Sequence, residues 1–164
     1  MAEVDASILG VQIPIRKLRI PPAIASELER IARIAGPVEA CGVLLGRVEG
    51  EIAVVEEVVG LKNVLRSHER FWFDLVEWME VVLEGRKRGL EYIGIFHTHP
   101  RGRLLPSLSD RQRMLECPGE VWLILALEDG GLEMAAWRVD DWGTGVARVE
   151  VEHEKDFKTV VKPD

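Results

Sequence analysis

Two rhythms of apolar and polar residues run along this chain, and the switches between them mark its elements. Ile13, Ile15, Leu18 and Ile20, interleaved with polar and basic residues, read as a first strand that Pro21-Pro22 ends. From Ala23 to Ala35 the apolar positions Ile24, Leu28, Ile31 and Ala35 recur at three- and four-residue steps, the stripe of an amphipathic helix. Pro22 suits the first turn of that helix, and Gly36-Pro37 its end. Cys41 to Leu45 is a continuous run of small or branched apolar residues, as in a strand buried on both faces. A turn at Glu49-Gly50 leads into Ile52-Ala53-Val54-Val55 and Val58-Val59, which predicts a hairpin. Leu61 to Arg70 has no periodicity and is expected to be a surface loop. Phe71 to Arg88 returns to helix, with Leu75, Trp78, Met79 and Val82 as its apolar face and Gly89 as its cap. Tyr92 to Phe96 is a short buried strand that delivers His97 and His99 at its end. Alternate strand residues share a face, so both imidazoles are expected to point the same way. A short helix from Asp110 to Glu116 follows, then a strand from Val121 to Leu127, a tight turn at Asp129-Gly130-Gly131 and an antiparallel partner from Leu132 to Val139. A turn near Trp142-Gly143-Thr144-Gly145 precedes a last strand, Val146 to Val151.

Helices and strands alternate, but several strands are joined by hairpins. The expected class is therefore α/β, with a mixed sheet. The 164 residues carry no repeat, low-complexity tract or linker, which predicts one domain over 13–151, a flexible lead-in over 1–12 and a charged tail over 152–164. A formal net charge of −7 argues against a nucleic-acid binder, which draws on clustered Lys and Arg, and favours a basic protein partner. No apolar run approaches the ~18–20 residues of a membrane span. The first residues carry acids early and lack a basic region before an apolar core, so no signal peptide is expected and the default location is the cytoplasm. Cys41 and Cys117 neither form a disulfide framework nor have Cys-x-x-Cys spacing; two reduced thiols are expected, with a disulfide left open.

Candidate chemistry centres on His97-Thr98-His99-Pro100 and Ser107-Leu108-Ser109-Asp110. Imidazole nitrogen and carboxylate oxygen are good zinc ligands, and three protein ligands without cysteine leave a fourth position open, the catalytic pattern. Zinc acidifies water toward pKa ~7 and polarises a carbonyl. A peptide hydrolase also needs a base, and Glu39, a carboxylate at a helix-to-strand junction just before a buried strand, is the candidate. Each part also has a plainer reading. A His-x-His pair occurs on surfaces by chance, Ser107-x-x-Asp110 fits a capping box, and Glu39 can be a solvated carboxylate. The chain contains no His-Glu-x-x-His and no Pro-Cys-x-x-Cys. It is also too short for a (β/α)₈ barrel.

Taken together, Glu39, His97-x-His99, seven intervening residues and Ser107-x-x-Asp110 resemble the signature of the JAMM (MPN+) metalloprotease family. The flanking stretches Glu39-Ala-Cys-Gly-Val-Leu-Leu-Gly46 and Gly94-Ile-Phe-His-Thr-His-Pro100 are similar to that family's glutamate and histidine strands, and the form is closest to its compact archaeal and bacterial members. The resemblance implies a single MPN-type domain with a mixed curved sheet flanked by helices. It implies one zinc ion per chain held by His97, His99 and Asp110, with Glu39 holding the nucleophilic water and shuttling its proton, and Ser107 donating to the developing oxyanion. It further implies hydrolysis after the C-terminal Gly-Gly tail of ubiquitin, a ubiquitin-like protein or a sulfur-carrier protein. Such a tail can add as a strand at a sheet edge beside the metal. Asn63 and His68 in the first loop, and Arg101 and Arg103 in the loop after the histidines, are the candidates for gripping it. The alternative, from a different class, is a non-catalytic MPN module that binds ubiquitin-like proteins and keeps the metal for structure.

Overall fold

The computed structural model describes residues 14–63, 72–99 and 102–153. The described chain runs β1 (Lys17–Ile20), α1 (Pro22–Ala35), β2 (Cys41–Glu49), β3 (Ile52–Leu61), α2 (Leu75–Lys87), β4 (Glu91–Thr98), α3 (Leu108–Glu116), β5 (Val121–Glu128), β6 (Gly131–Val139) and β7 (Val146–His153). The strands form a closed barrel in the order β1-β3-β2-β4-β5-β6-β7. Hairpin neighbours β2/β3, β5/β6 and β6/β7 pair antiparallel, as does β2/β4. The pairs β4/β5, β1/β3 and β1/β7 are parallel. The mixed, curved sheet is thus present, and β1 joins its two ends.

Local sequence explains the element ends. Extended Pro21 caps α1 with Pro22 at its first turn, and Gly36 stops it at φ 64°, a conformation that glycine adopts without penalty. Asp74 caps α2, its carboxylate accepting from the backbone N–H of Val76 and Glu77. That cap moves the start of α2 to Leu75, so Trp72 and Phe73 lie before the helix rather than in it as the pattern predicts. The predicted face of α2 also needs correction. Trp78 and Val82 do pack inward, together with Val81, but Leu75 and Met79 are exposed. The two strand pieces predicted after the Glu49-Gly50 turn are one continuous strand that ends at Leu61.

Apolar residues fill both sides of the barrel wall. Leu18, Ile20, Leu44, Val55, Phe96, Leu123 and Val149 pack with Leu28 of α1. Val43, Leu45, Ile95 and Trp122 pack on the other side with Phe73, Met114 of α3 and the inner face of α2. Burial on both sides is why β2, β4 and β5 read as unbroken apolar runs instead of alternating ones. Close approach of the strands requires glycine at Gly94, where a Cβ would lie 1.9 Å from the Val121 carbonyl oxygen. Both cysteines are free thiols, Cys41 buried and Cys117 exposed. Burial pushes the Cys41 thiol up to about 12. No described helix is long and apolar enough to cross a membrane.

Candidate metal centre

His97 and His99 stand at the end of β4, next to the start of α3. His97 is fully buried, on the same side of the wall as Ile95, and Trp122 from β5 packs edge-on against its ring at 5.5 Å. The two Nε2 atoms are 2.9 Å apart, and Asp110 Oδ2 lies 3.2 Å from that of His97 and 3.3 Å from that of His99. Zinc bonds to nitrogen and oxygen of about 2.0–2.2 Å, arranged tetrahedrally, place ligand atoms roughly 3.3–3.5 Å apart. The triangle is therefore slightly tight for such an ion and of the right kind.

The surrounding hydrogen bonds aim these atoms. His99 Nδ1 meets the backbone carbonyl of Arg103, so its N–H donates there and Nε2 presents its lone pair to the trio. Trp137 Nε1 donates to the neighbouring carbonyl of Leu104 at 2.8 Å and holds that loop. Asp110 sits at the third position of α3. The Ser107 hydroxyl accepts from the Asp110 N–H at 3.0 Å, and Asp110 Oδ2 accepts from the Ser107 N–H at 2.9 Å. This is a complete capping box. The plain reading of Ser107-x-x-Asp110 is thus met, and the same carboxylate oxygen also faces both imidazoles, so capping does not compete with ligation.

Electrostatics agree with a site built for a cation. Burial drives the His97 imidazole toward its neutral form, outweighing Asp110. Burial acts on His99 in the same sense, but the hydrogen bonds to Asp110 and to the Arg103 carbonyl outweigh it and raise that pKa. Burial also opposes ionisation of Asp110, yet bonding to both imidazoles and to the Ser107 amide holds its carboxyl far below the usual range. His97 Nε2, His99 Nε2 and Asp110 Oδ2 converge on one point, each able to offer a lone pair. A divalent ion fits this donor set.

Glu39 arrives from the turn before β2 and is buried, at 3% exposure. Its carboxylate and the two imidazoles offer ligand atoms that all lie within 4.8 Å of one another. The structure thus brings together Glu39, His97, His99, Ser107 and Asp110. Asn63 lies inside rather than on a surface loop, its amide Nδ2 donating to the Glu39 carbonyl at 3.0 Å and its Oδ1 accepting from Trp72 N–H at 3.2 Å. The Arg103 side chain is exposed, and its backbone serves His99. His68 and Arg101 lie outside the described residues. Sequence patterning missed Thr98, Trp122 and Trp137: the first hides between the two histidines, and the tryptophans read as ordinary strand residues. A groove of roughly 370 Å³ opens beside Glu39, walled by Ile31, Ile34 and Val38 on one side and by Gly60 and Leu61 on the other.

The chain as a whole is similar to known proteins. A family model described as prokaryotic homologs of the JAB domain matches residues 21–140. A desampylase of Pyrococcus furiosus is 35% identical over 61% of this chain and 66% of its own length, just under two thirds. A desampylase of Haloferax volcanii is 29% identical over 65% of this chain and 74% of its own. Among solved structures, a protein of Desulfitobacterium hafniense superposes with a TM-score of 0.73 at 29% identity, covering 87% of this chain and 96% of that one. A Salinibacter ruber protein, at 24% identity and a TM-score of 0.60 over 83% of this chain and 91% of that one, shares the fold.

Proposed function

The chain belongs to the family of prokaryotic JAB-domain proteins, and on that premise we propose that it is a zinc-dependent isopeptidase acting on conjugates of a ubiquitin-like protein. The observation that carries the reading is the convergence of His97, His99 and Asp110 on one point, with the buried Glu39 close to both histidines. His97, His99 and Asp110 would hold the zinc. When bound there, zinc supplies Lewis acidity, making water more acidic and drawing electron density from the scissile carbonyl.

The chain's own residues do the rest. Glu39 orients the attacking water, takes its proton and returns it to the leaving amine, so bond cleavage releases a neutral amine and a carboxylic acid at the modifier's end, and the acid then gives up its remaining proton to solvent. The Ser107 hydroxyl, whose oxygen accepts from Asp110 N–H, retains its own proton to donate to the oxyanion that develops on the carbonyl. The Arg103 carbonyl keeps His99 in its tautomer, and the Ser107 amide with the two imidazoles keeps Asp110 ionised.

An extended tail suits the surface beside this centre. The outer edge of β3 beyond Val54 has no strand partner among the described residues, and the groove at Gly60 and Leu61 leads to Glu39. Leu105 and Leu108, exposed on either side of Ser107, offer apolar contact. We take the substrate to be a conjugate of a ubiquitin-like modifier, released at the modifier's C-terminal tail; similarity to two desampylases supports this reading. We place the activity in the cytoplasm.

The test is a cleavage panel of ubiquitin chains, ubiquitin-like fusions and a sulfur-carrier fusion, run with zinc and with a chelator. Wild type should cleave at least one ubiquitin-like fusion only when zinc is present, and Glu39→Gln should abolish turnover while keeping its zinc. Cleavage by Glu39→Gln at the wild-type rate would remove Glu39 as the base. Binding of the modifier with no cleavage by wild type would make the chain a recognition module instead.

A further inference from the structure

The Glu39–Ala40 peptide unit is gripped at both of its polar atoms by side chains. Its carbonyl accepts from Asn63 Nδ2 at 3.0 Å, and its N–H donates to Thr98 Oγ1 at 2.8 Å. Thr98 also reaches Ala40 through the backbone, its own N–H donating to the Ala40 carbonyl at 2.9 Å. The β2/β4 ladder pairs Cys41 with His97. One residue further, at Ala40, a hydroxyl stands where a strand carbonyl would, and it belongs to the residue between the two imidazoles. Asn63 and Thr98 are both buried. Asn63 is itself held by the Trp72 N–H, and the Trp72 ring lies under the Arg113 guanidinium, 4.1 Å from ring centroid to carbon, on the helix that carries Asp110.

The consequence is mechanical. A peptide plane fixed at both its C=O and its N–H leaves Glu39 little freedom in ψ, so the Cα–Cβ direction of the base is set relative to the strand bearing the histidines. A proton shuttle loses rate steeply when misplaced, by roughly 100-fold for a displacement of about 1 Å. We propose that Thr98 and Asn63 are positioning residues that lock the Glu39–Ala40 peptide and so hold the Glu39 carboxylate in register with the metal ligands. This rests on the reading of Glu39 as the base. The hydroxyl at position 98 is then not a spacer between ligands but the coupling between the two halves of the site.

Thr98→Val removes the hydroxyl at nearly constant volume, Thr98→Ser restores it, and Asn63→Asp removes the amide donor while keeping an acceptor for Trp72. Two measurements judge them. In the zinc-free protein without substrate, hydrogen exchange of the Ala40 amide should quicken at least ~10-fold in Thr98→Val while the Val43 and Leu44 amides keep wild-type rates, and Thr98→Ser should return Ala40 to slow exchange. In the zinc-loaded protein, Thr98→Val and Asn63→Asp should lower kcat by ~10–100-fold at unchanged KM and unchanged zinc content, with Thr98→Ser recovering most of the rate. Wild-type exchange at Ala40 in Thr98→Val would overturn the inference. So would activity lost only in proportion to lost zinc, because the hydroxyl would then serve the histidines rather than Glu39. If Thr98→Val does not fold, Thr98→Ala takes its place under the same criteria. The exchange measurement needs neither zinc nor substrate, so a wild-type protein that cleaves nothing would sink the proposed activity and leave this inference to be judged at Ala40.

Discussion

Replacing Gly94 with alanine puts the spacing of the barrel wall to a direct test. Gly94 pairs with Val121 of β5 and lies three residues before His97. A Cβ there would stand 1.9 Å from the Val121 carbonyl oxygen and 2.7 Å from its carbonyl carbon and amide nitrogen. All three are backbone atoms, so no side chain can swing aside, and the strands must part by about 1 Å or more in a wall packed at crystal density. Overpacking of this kind costs about 1–3 kcal/mol and occasionally more; with only backbone to yield, the upper end applies. At about 2–4 °C per kcal/mol for a domain of this size, Tm should fall by about 6–12 °C. The fitting control is Gly60→Ala on β3, where a new Cβ meets nothing within 4 Å. That substitution should leave Tm unchanged or raise it slightly, since alanine narrows the unfolded ensemble by about 0.4–1 kcal/mol. The assay is thermal unfolding by circular dichroism with chelator present, which keeps metal binding out of the comparison. A Gly94→Ala protein melting within about 2 °C of Gly60→Ala would refute the argument, and with it the spacing that sets His97 against its neighbours.

Two further outcomes follow from contacts around the site. Trp137→Phe keeps the ring under Arg148 but deletes the donor to the Leu104 carbonyl, so the loop that presents the Arg103 carbonyl to His99 should slacken; zinc affinity, measured by competition with a chromogenic chelator, should weaken by roughly 10-fold, and unchanged affinity would dissociate that loop from the metal. Burial raises the Glu120 carboxyl above its ordinary value despite bonds from Cys117, Tyr92 and Trp122, so its favourable contribution is complete below the unfolded pKa and is lost as pH rises through the folded one. Glu120→Gln mimics the protonated form, so its stability advantage over wild type in urea unfolding should widen from pH 4.5 to pH 7.5, and a constant difference would contradict the assignment.

Most of the centre was legible because its spacing is short and chemical: His97, His99, Ser107 and Asp110 fall on a strand end, a loop and a helix start that local patterning also marks. What escaped depends on distant partners. The helix over Leu75–Lys87 carries two apolar faces, one with Trp78, Val81 and Val82 and one with Leu75, Val76, Met79 and Leu83, and periodicity alone blends them. Gly85 is the signal that separates them. It is buried, and a Cβ there would crowd Leu45 at 2.9 Å, so the glycine side is the one that approaches β2. Asn63 sits in a stretch without periodicity, and its hydrogen bonds to Glu39 and Trp72 are formed by the fold rather than by the local sequence. The closure of the sheet through β1 leaves no mark in either strand's own pattern.

That closure sets an order in time. Contacts within the metal trio span 13 residues or fewer, and the bond from Thr98 to Ala40 spans 58. The β1/β7 seam, with Lys17 and Arg19 beside Glu152, joins residues 133 apart. Chain-closure entropy rises with loop length, and long-range pairings are made once shorter ones have shortened the effective loop. Loop-closure cost therefore predicts that the half with His97, His99 and Asp110 assembles first from a nearly local segment, that Glu39 joins as β2 zips onto β4, and that the seam shuts last.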